Sequence, residues 1–155
     1  MSTDAYIHAP GAVPLSFAEL DAAMRRKRWY LLPKALEAPD EPLRKGVIYS
    51  VYGAPRLATL DEARDILRSR RLERLDPLYA KKGLNGVYLS VEDPDPDGDI
   101  PLGRHAKAVQ EAKLLYLVNG HGGALQWALW EAIGVLTGGI LSDPQSGDYR
   151  RPSRS

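Results

Sequence analysis

Apolar residues recur every three to four positions in some stretches of the chain and gather in short runs in others, and this pattern lays out most of the elements. Phe17, Leu20 and Met24 form one stripe. Ser16-Phe17-Ala18-Glu19 opens it as a capping box, in which the serine hydroxyl accepts from the amide three residues on and the glutamate reaches back. A helix is predicted from there to about Lys27. Residues 29–32 read as a short strand stopped by Pro33, and residues 34–45, with two prolines and several charges, as a loop. β-branched and aromatic residues fill 47–52 between Gly46 and Gly53, which predicts a strand. Thr59-Leu60-Asp61-Glu62 reads as a second capping box. Its helix turns Leu60, Ala63 and Leu67 inward and Arg64, Arg68, Arg70, Arg71 and Arg74 mainly outward, until Asp76-Pro77 ends or kinks it.

Residues 86–91 form the next predicted strand. Ala106, Val109, Ala112 and Tyr116 favour a helix over 103–118, while 114–118 by itself also suits a strand. From Ala124 to Leu136 the apolar groups go round most of the circumference, as in a buried helix, so Trp127 and Trp130 are expected in the core. Gly138-Gly139 ends that helix, and Ile140-Leu141 suits a last short strand. There is no internal repeat. The expected fold is α+β: a two-layer domain over residues 1–148, with about four helices packed on a mixed, mostly antiparallel sheet, and a loose basic tail at 149–155.

Composition narrows the functions. At 155 residues the chain is one domain by size, and 44% hydrophobic and 26% charged residues are ordinary for a globular protein. Twenty-one basic and 20 acidic residues give a net charge of +1, so no overall field draws nucleic acid or a membrane. Basic clusters at 25–28 and 64–74 share their helices with Glu19, Asp21, Glu62, Asp65 and Glu73. Such faces are usually solvated, which leaves nucleic-acid binding a minor reading. The absence of cysteine removes disulfides, thiolate nucleophiles and cysteine-bound zinc. The N-terminus has neither the basic start nor the apolar core of a secretory signal, and no apolar run nears the roughly 20 residues of a spanning helix. A cytoplasmic protein without a membrane partner is expected.

Two segments invite chemistry. Glu92, Asp93, Asp95, Asp97 and Asp99 crowd a proline-rich loop whose Asp93-x-Asp95-x-Asp97-Gly98 copies the opening of a calcium loop. The twelfth position of such a loop is a bidentate glutamate. Here it is Arg104, so tight calcium binding is not expected. The loop then reads as a solvated turn or as an acidic surface for a basic partner. The other segment, Gly120, His121, Gly122 and Gly123, resembles a dinucleotide loop, but Leu125 stands where a small sixth residue belongs and too little chain follows for a nucleotide fold. An esterase oxyanion loop would need a G-x-S-x-G elbow, which the chain lacks. A tight structural turn is the simpler reading. His8, His105 and His121 have no metal-ligand spacing. No catalytic residue, metal or cofactor is assigned.

The stretch from Ala128-Leu129-Trp130-Glu131-Ala132 through Thr137-Gly138-Gly139 to Asp143-Pro144-Gln145-Ser146-Gly147 is similar to the C-terminal helix and ending of small bacterial α/β immunity proteins. These are encoded beside secreted toxins, including type VI and polymorphic ones. The resemblance covers mainly residues 128–147 and implies a protein that neutralises a cognate toxin by contact, without catalysis. The expected function is therefore protein–protein binding, with the five acidic-loop carboxylates in the interface, and the reading leans away from an enzyme. The alternatives are a small enzyme or nucleotide-binding domain using residues 120–123, and a structural homodimer.

Overall fold

The computed structural model of the chain describes residues 2–33 and 38–153. Positions 34–37 of the expected loop and 154–155 of the expected tail lie outside them. Among the described residues the chain runs β1 (Thr3–Ala9), α1 (Phe17–Arg26), β2 (Tyr30–Pro33), β3 (Tyr49–Ala54), α2 (Leu57–Ser69), α3 (Leu75–Lys81), β4 (Asn85–Glu92), α4 (Ala106–Gln110), β5 (Leu114–Gly120), α5 (Ala124–Thr137), β6 (Ile140–Asp143) and β7 (Asp148–Arg150). The strands make one open sheet in the order β2-β3-β4-β5-β1-β6-β7, with every neighbouring pair antiparallel. The fold is α+β.

The pleat sorts side chains onto two faces. On the first, Ala5, Ile7 and Ala9 of β1, Val87, Leu89 and Val91 of β4, and Leu114, Tyr116 and Val118 of β5 form the main core with α1 and α5. The α1 capping box is present as expected: Ser16 Oγ accepts from the Glu19 amide at 3.2 Å, and Glu19 Oε2 accepts from the Ser16 amide at 2.8 Å. Helix α5 lies so close to β3 that a Cβ on Gly53 would come within 2.6 Å of Leu125 Cδ1. Trp130 is buried in this core, whereas Trp127 is only partly buried at its edge.

The second face is covered only in part. Residues 30, 32, 52 and 54 alternate with the core-facing ones and meet Leu60, Ala63, Leu75 and Leu78 of α2 and α3 in a separate apolar cluster. Helices therefore pack on both faces of the sheet, not on one.

Several local expectations change. Helix α2 starts at Leu57 after Arg56, which makes no side-chain cap. Thr59 is buried one turn inside, so the second capping box is not used. Pro77 does not end a helix. It stands in the first turn of α3, where its missing amide hydrogen has no partner to lose. Residues 114–118 are strand rather than helix, because β5 is a central strand with partners on both sides. Strand β1 has no counterpart in the sequence reading, yet it lies between β5 and β6. The basic end is not loose where it is described. Asp148–Arg150 pair with β6, Arg150 is ion-paired with Glu131, and Glu131 Oε2 accepts from the Ser153 amide at 3.0 Å.

Candidate functional site

The second face becomes a site where the helices stop. Register places Ser90, Leu117, Tyr6, Ser142 and Tyr149 in one row across β4, β5, β1, β6 and β7. Glu92, Leu115, His8 and Ile140 form the row beside it. Near the middle of the sheet this face is bare: Tyr88 is 54% exposed and Ile48 70%. These two border a shallow pocket with Glu92, Leu117 and Asn119. Toward β7, the segment that leaves β4 folds back over the sheet, and α4 meets β1.

Between that segment and the sheet lies a cavity of about 600 Å³. Tyr6, His8 and Tyr149 line it from the strands, Asp95 and Asp99 from the acidic loop, and Asp143 from the end of β6. His8 and Ser142 share a hydrogen bond of 2.9 Å between Nε2 and Oγ, a diagonal link between β1 and β6. The His8 ring also lies 5.8 Å from that of Tyr149. Burial lowers the His8 pKa below its ordinary 6.5, so the ring is neutral near pH 7. Burial first, and then the charges of Asp4 and Glu92, raise the Tyr6 phenol above 10.

The His8 shift has a measurable consequence. Below about pH 6.5 the unfolded chain takes up a proton at His8 that the folded chain resists. This contribution to stability is whole above that pH and is lost as pH falls toward the lowered folded value. His8→Gln keeps a hydrogen-bonding partner for Ser142 and removes the titration. Melting temperature should therefore decline less steeply in the variant than in the parent between about pH 7 and pH 5. Parallel declines would show that His8 is not held neutral.

The five carboxylates expected to act together are divided. Asp95 and Asp99 face the cavity, Glu92 borders the bare middle of the sheet, and Asp97 is exposed. Asp93 is ion-paired with Lys45 at 2.9 Å and is the only one of the five in an ion pair among the described residues. Asp95 organises the turn, since its Oδ1 accepts from the Asp97 amide at 2.9 Å and its carbonyl from the Gly98 amide at 3.0 Å. Among the described residues no group of three or more His, Asp or Glu is placed to hold a metal ion.

The glycine loop lies at the opposite end of β5 from Leu115, which pairs with Glu92, so the two candidate segments do not form one site. Its space is filled by the chain. Gln126 Oε1 accepts from the Gly122 amide at 2.8 Å, and a Cβ on Gly120 would come within 2.9 Å of that oxygen. A Cβ on Gly123 would come within 2.8 Å of Asn85 Oδ1. Trp127 Nε1 donates to the Gly122 carbonyl at 3.0 Å, and His121 is exposed. The glycines permit close approach of the chain to itself, and Gly122, at φ +76°, also needs the left-handed region.

Tyr6, Ser142 and Tyr149 carry no chemistry in the sequence analysis, and His8 enters it only as a metal ligand that its spacing rules out. The alternation of Ala5, Ile7 and Ala9 with Asp4, Tyr6 and His8 is a period-two signal for Tyr6 and His8. The meeting of His8 with Ser142, 134 residues away, has no local signal. No family model, curated protein or solved structure matches this chain.

Proposed function

We propose that this chain is a non-catalytic binding protein, most concretely a bacterial immunity protein that neutralises a cognate toxin through the unroofed second face of the sheet and the acidic loop beside it. The observation that carries this reading is the adjacency of exposed Tyr88 and Ile48 to Glu92 and the loop that follows it. Interfaces commonly combine aromatic and apolar anchors with a polar rim, and anionic rims steer basic partners. Crowded carboxylates repel one another in the free protein, which suits a surface completed by a partner's positive charge. The resemblance of residues 128–147 to immunity proteins supports the same reading, and a cytoplasmic site of action follows from it. No helix among the described residues is long and apolar enough to cross a membrane.

The test is to express the product of the gene immediately upstream in a sensitive host. This chain, supplied in trans, should restore growth and co-purify with that product. Failure of both removes the immunity reading. With the partner in hand, changing Asp95, Asp97 and Asp99 together to Asn should leave the fold intact and slow association about tenfold at low salt. An unchanged rate would make the loop a solvated turn.

A further inference from the structure

We propose that the cavity between the β1-β6-β7 end of the sheet and residues 93–101 binds a guanidinium group, the side chain of an arginine presented by a protein partner. The partner rests on the binding-protein reading above. Guanidinium recognition does not, because it is measurable on this chain alone.

Three features of the cavity converge on that chemistry. The first is sign. Asp95, Asp99 and Asp143 line the cavity from two separate parts of the chain, and among the described residues no lysine or arginine lines it. His8 adds no positive charge, since burial keeps it neutral.

The second feature is the wall. Tyr6, His8 and Tyr149 bring aromatic rings, and the His8–Ser142 hydrogen bond and the His8–Tyr149 ring contact hold two of the strands that carry them in register. Aromatic faces attract cations, and a flat, weakly hydrated guanidinium stacks on them better than a compact, strongly hydrated ammonium does.

The third feature is the spread of the charge. The carboxylates stand apart, with no group of three or more ligating side chains gathered among the described residues. A small metal ion needs its oxygens around one point, whereas a delocalised cation that meets separate acceptors at its edges does not. A volume of about 600 Å³ takes a whole arginine side chain with some of its backbone and water. One wall comes from the hairpin at residues 143–147. There Asp143 Oδ1 accepts from the Gln145 amide at 3.0 Å, and the Asp143 carbonyl accepts from the Gly147 amide at 2.8 Å. The Asp143-Pro144-Gln145-Ser146-Gly147 segment thus has a place in the site as well as in the turn.

The experiment titrates the ¹⁵N-labelled chain at low salt with butylguanidine, with its neutral isostere butylurea, and with the capped tripeptide Gly-Arg-Gly. Butylguanidine and the tripeptide should shift the same amides, those of Tyr6, His8, Asp99, Ser142 and Tyr149. Butylurea should bind at least about tenfold more weakly. Changing Asp95, Asp99 and Asp143 together to Asn keeps the turn acceptors and should weaken butylguanidine at least about tenfold. Asp99→Arg, at an exposed position, supplies a guanidinium from the chain itself and should abolish binding even if the triple variant folds poorly. Equal binding of butylguanidine and butylurea, or shifts confined to another surface, would overturn the proposal. Binding of butylguanidine without the tripeptide would overturn its assignment to a protein side chain. Binding of both probes in the cavity, with no rescue from the toxin, would leave this inference standing and remove the immunity reading.

Discussion

Replacing Trp130 by alanine is expected to destabilise the protein by about 3–5 kcal/mol, the usual cost of emptying a large aromatic site in a core. Trp130 is 8% exposed and sits where α5 crosses the sheet. Its Nε1 donates to the Tyr6 carbonyl at 2.8 Å, so truncation also leaves a β1 acceptor without its partner. The ring meets Trp127 edge-on at 5.3 Å, and the Arg150 guanidinium lies 5.0 Å from its centroid. Through Arg150 and Glu131 it helps hold the chain end that carries β7. Urea unfolding should show the loss, and proteolysis should reach the C-terminal strand sooner. Trp127→Ala should cost clearly less, about 1–2 kcal/mol, since that ring is only partly buried. Equal losses at the two positions would show that α5 does not bury Trp130 more deeply than Trp127.

The second large effect is expected at Gln126. This side chain is 1% exposed and serves three backbone groups: it accepts from the Gly122 amide, and its Nε2 donates to the carbonyls of Thr3 at 2.6 Å and Val118 at 3.0 Å. Gln126→Met keeps the length and apolar stem and removes every one of these bonds. A buried backbone group left unpaired costs about 1–3 kcal/mol, and water can reach some of the three, so a net loss of about 3 kcal/mol is expected. Faster hydrogen exchange at Gly122 should accompany it. If the Met variant unfolds at the same urea concentration as the parent, Gln126 does not hold the loop, and the glycines at 120–123 become available for a ligand.

The elements most legible in the sequence are those whose signal is local. The α1 capping box and stripe needed no knowledge of the rest of the chain. The apolar helix ended by Gly138 in the left-handed region was equally plain, because a helix buried on most sides must be apolar on most sides. Residues 114–118 carried both periods, and only two strand partners decided between them. Thr59 matched the capping pattern, but α2 began two residues earlier where Pro55-Arg56 leads from β3 into the helix. Strand β1 went unread because small alanines give its buried face little hydrophobic weight. Those alanines suit a central strand covered by α5.

The acidic loop was legible as a charged segment, since its composition is local. Its division was not: Asp95 and Asp99 toward the cavity, Glu92 toward the bare sheet, Asp93 onto Lys45. That depends on how residues 93–105 fold back across strands from both ends of the chain. By itself the sequence determined the class of fold, through the order of its elements, and also the α1 capping box, the glycine end of the buried C-terminal helix and the presence of an acidic turn, each of these three set by interactions within a few residues. Only the tertiary structure decided the strand order, the two-sided placement of the helices and the meeting of His8 with Ser142 and Tyr149. The place of β1 and the contacts of His8 rest on pairings between β1 and the last strands, and separations of that length leave no periodicity to read. The two-sided placement rests on α2 meeting β2 and β3 on the face opposite α1 and α5.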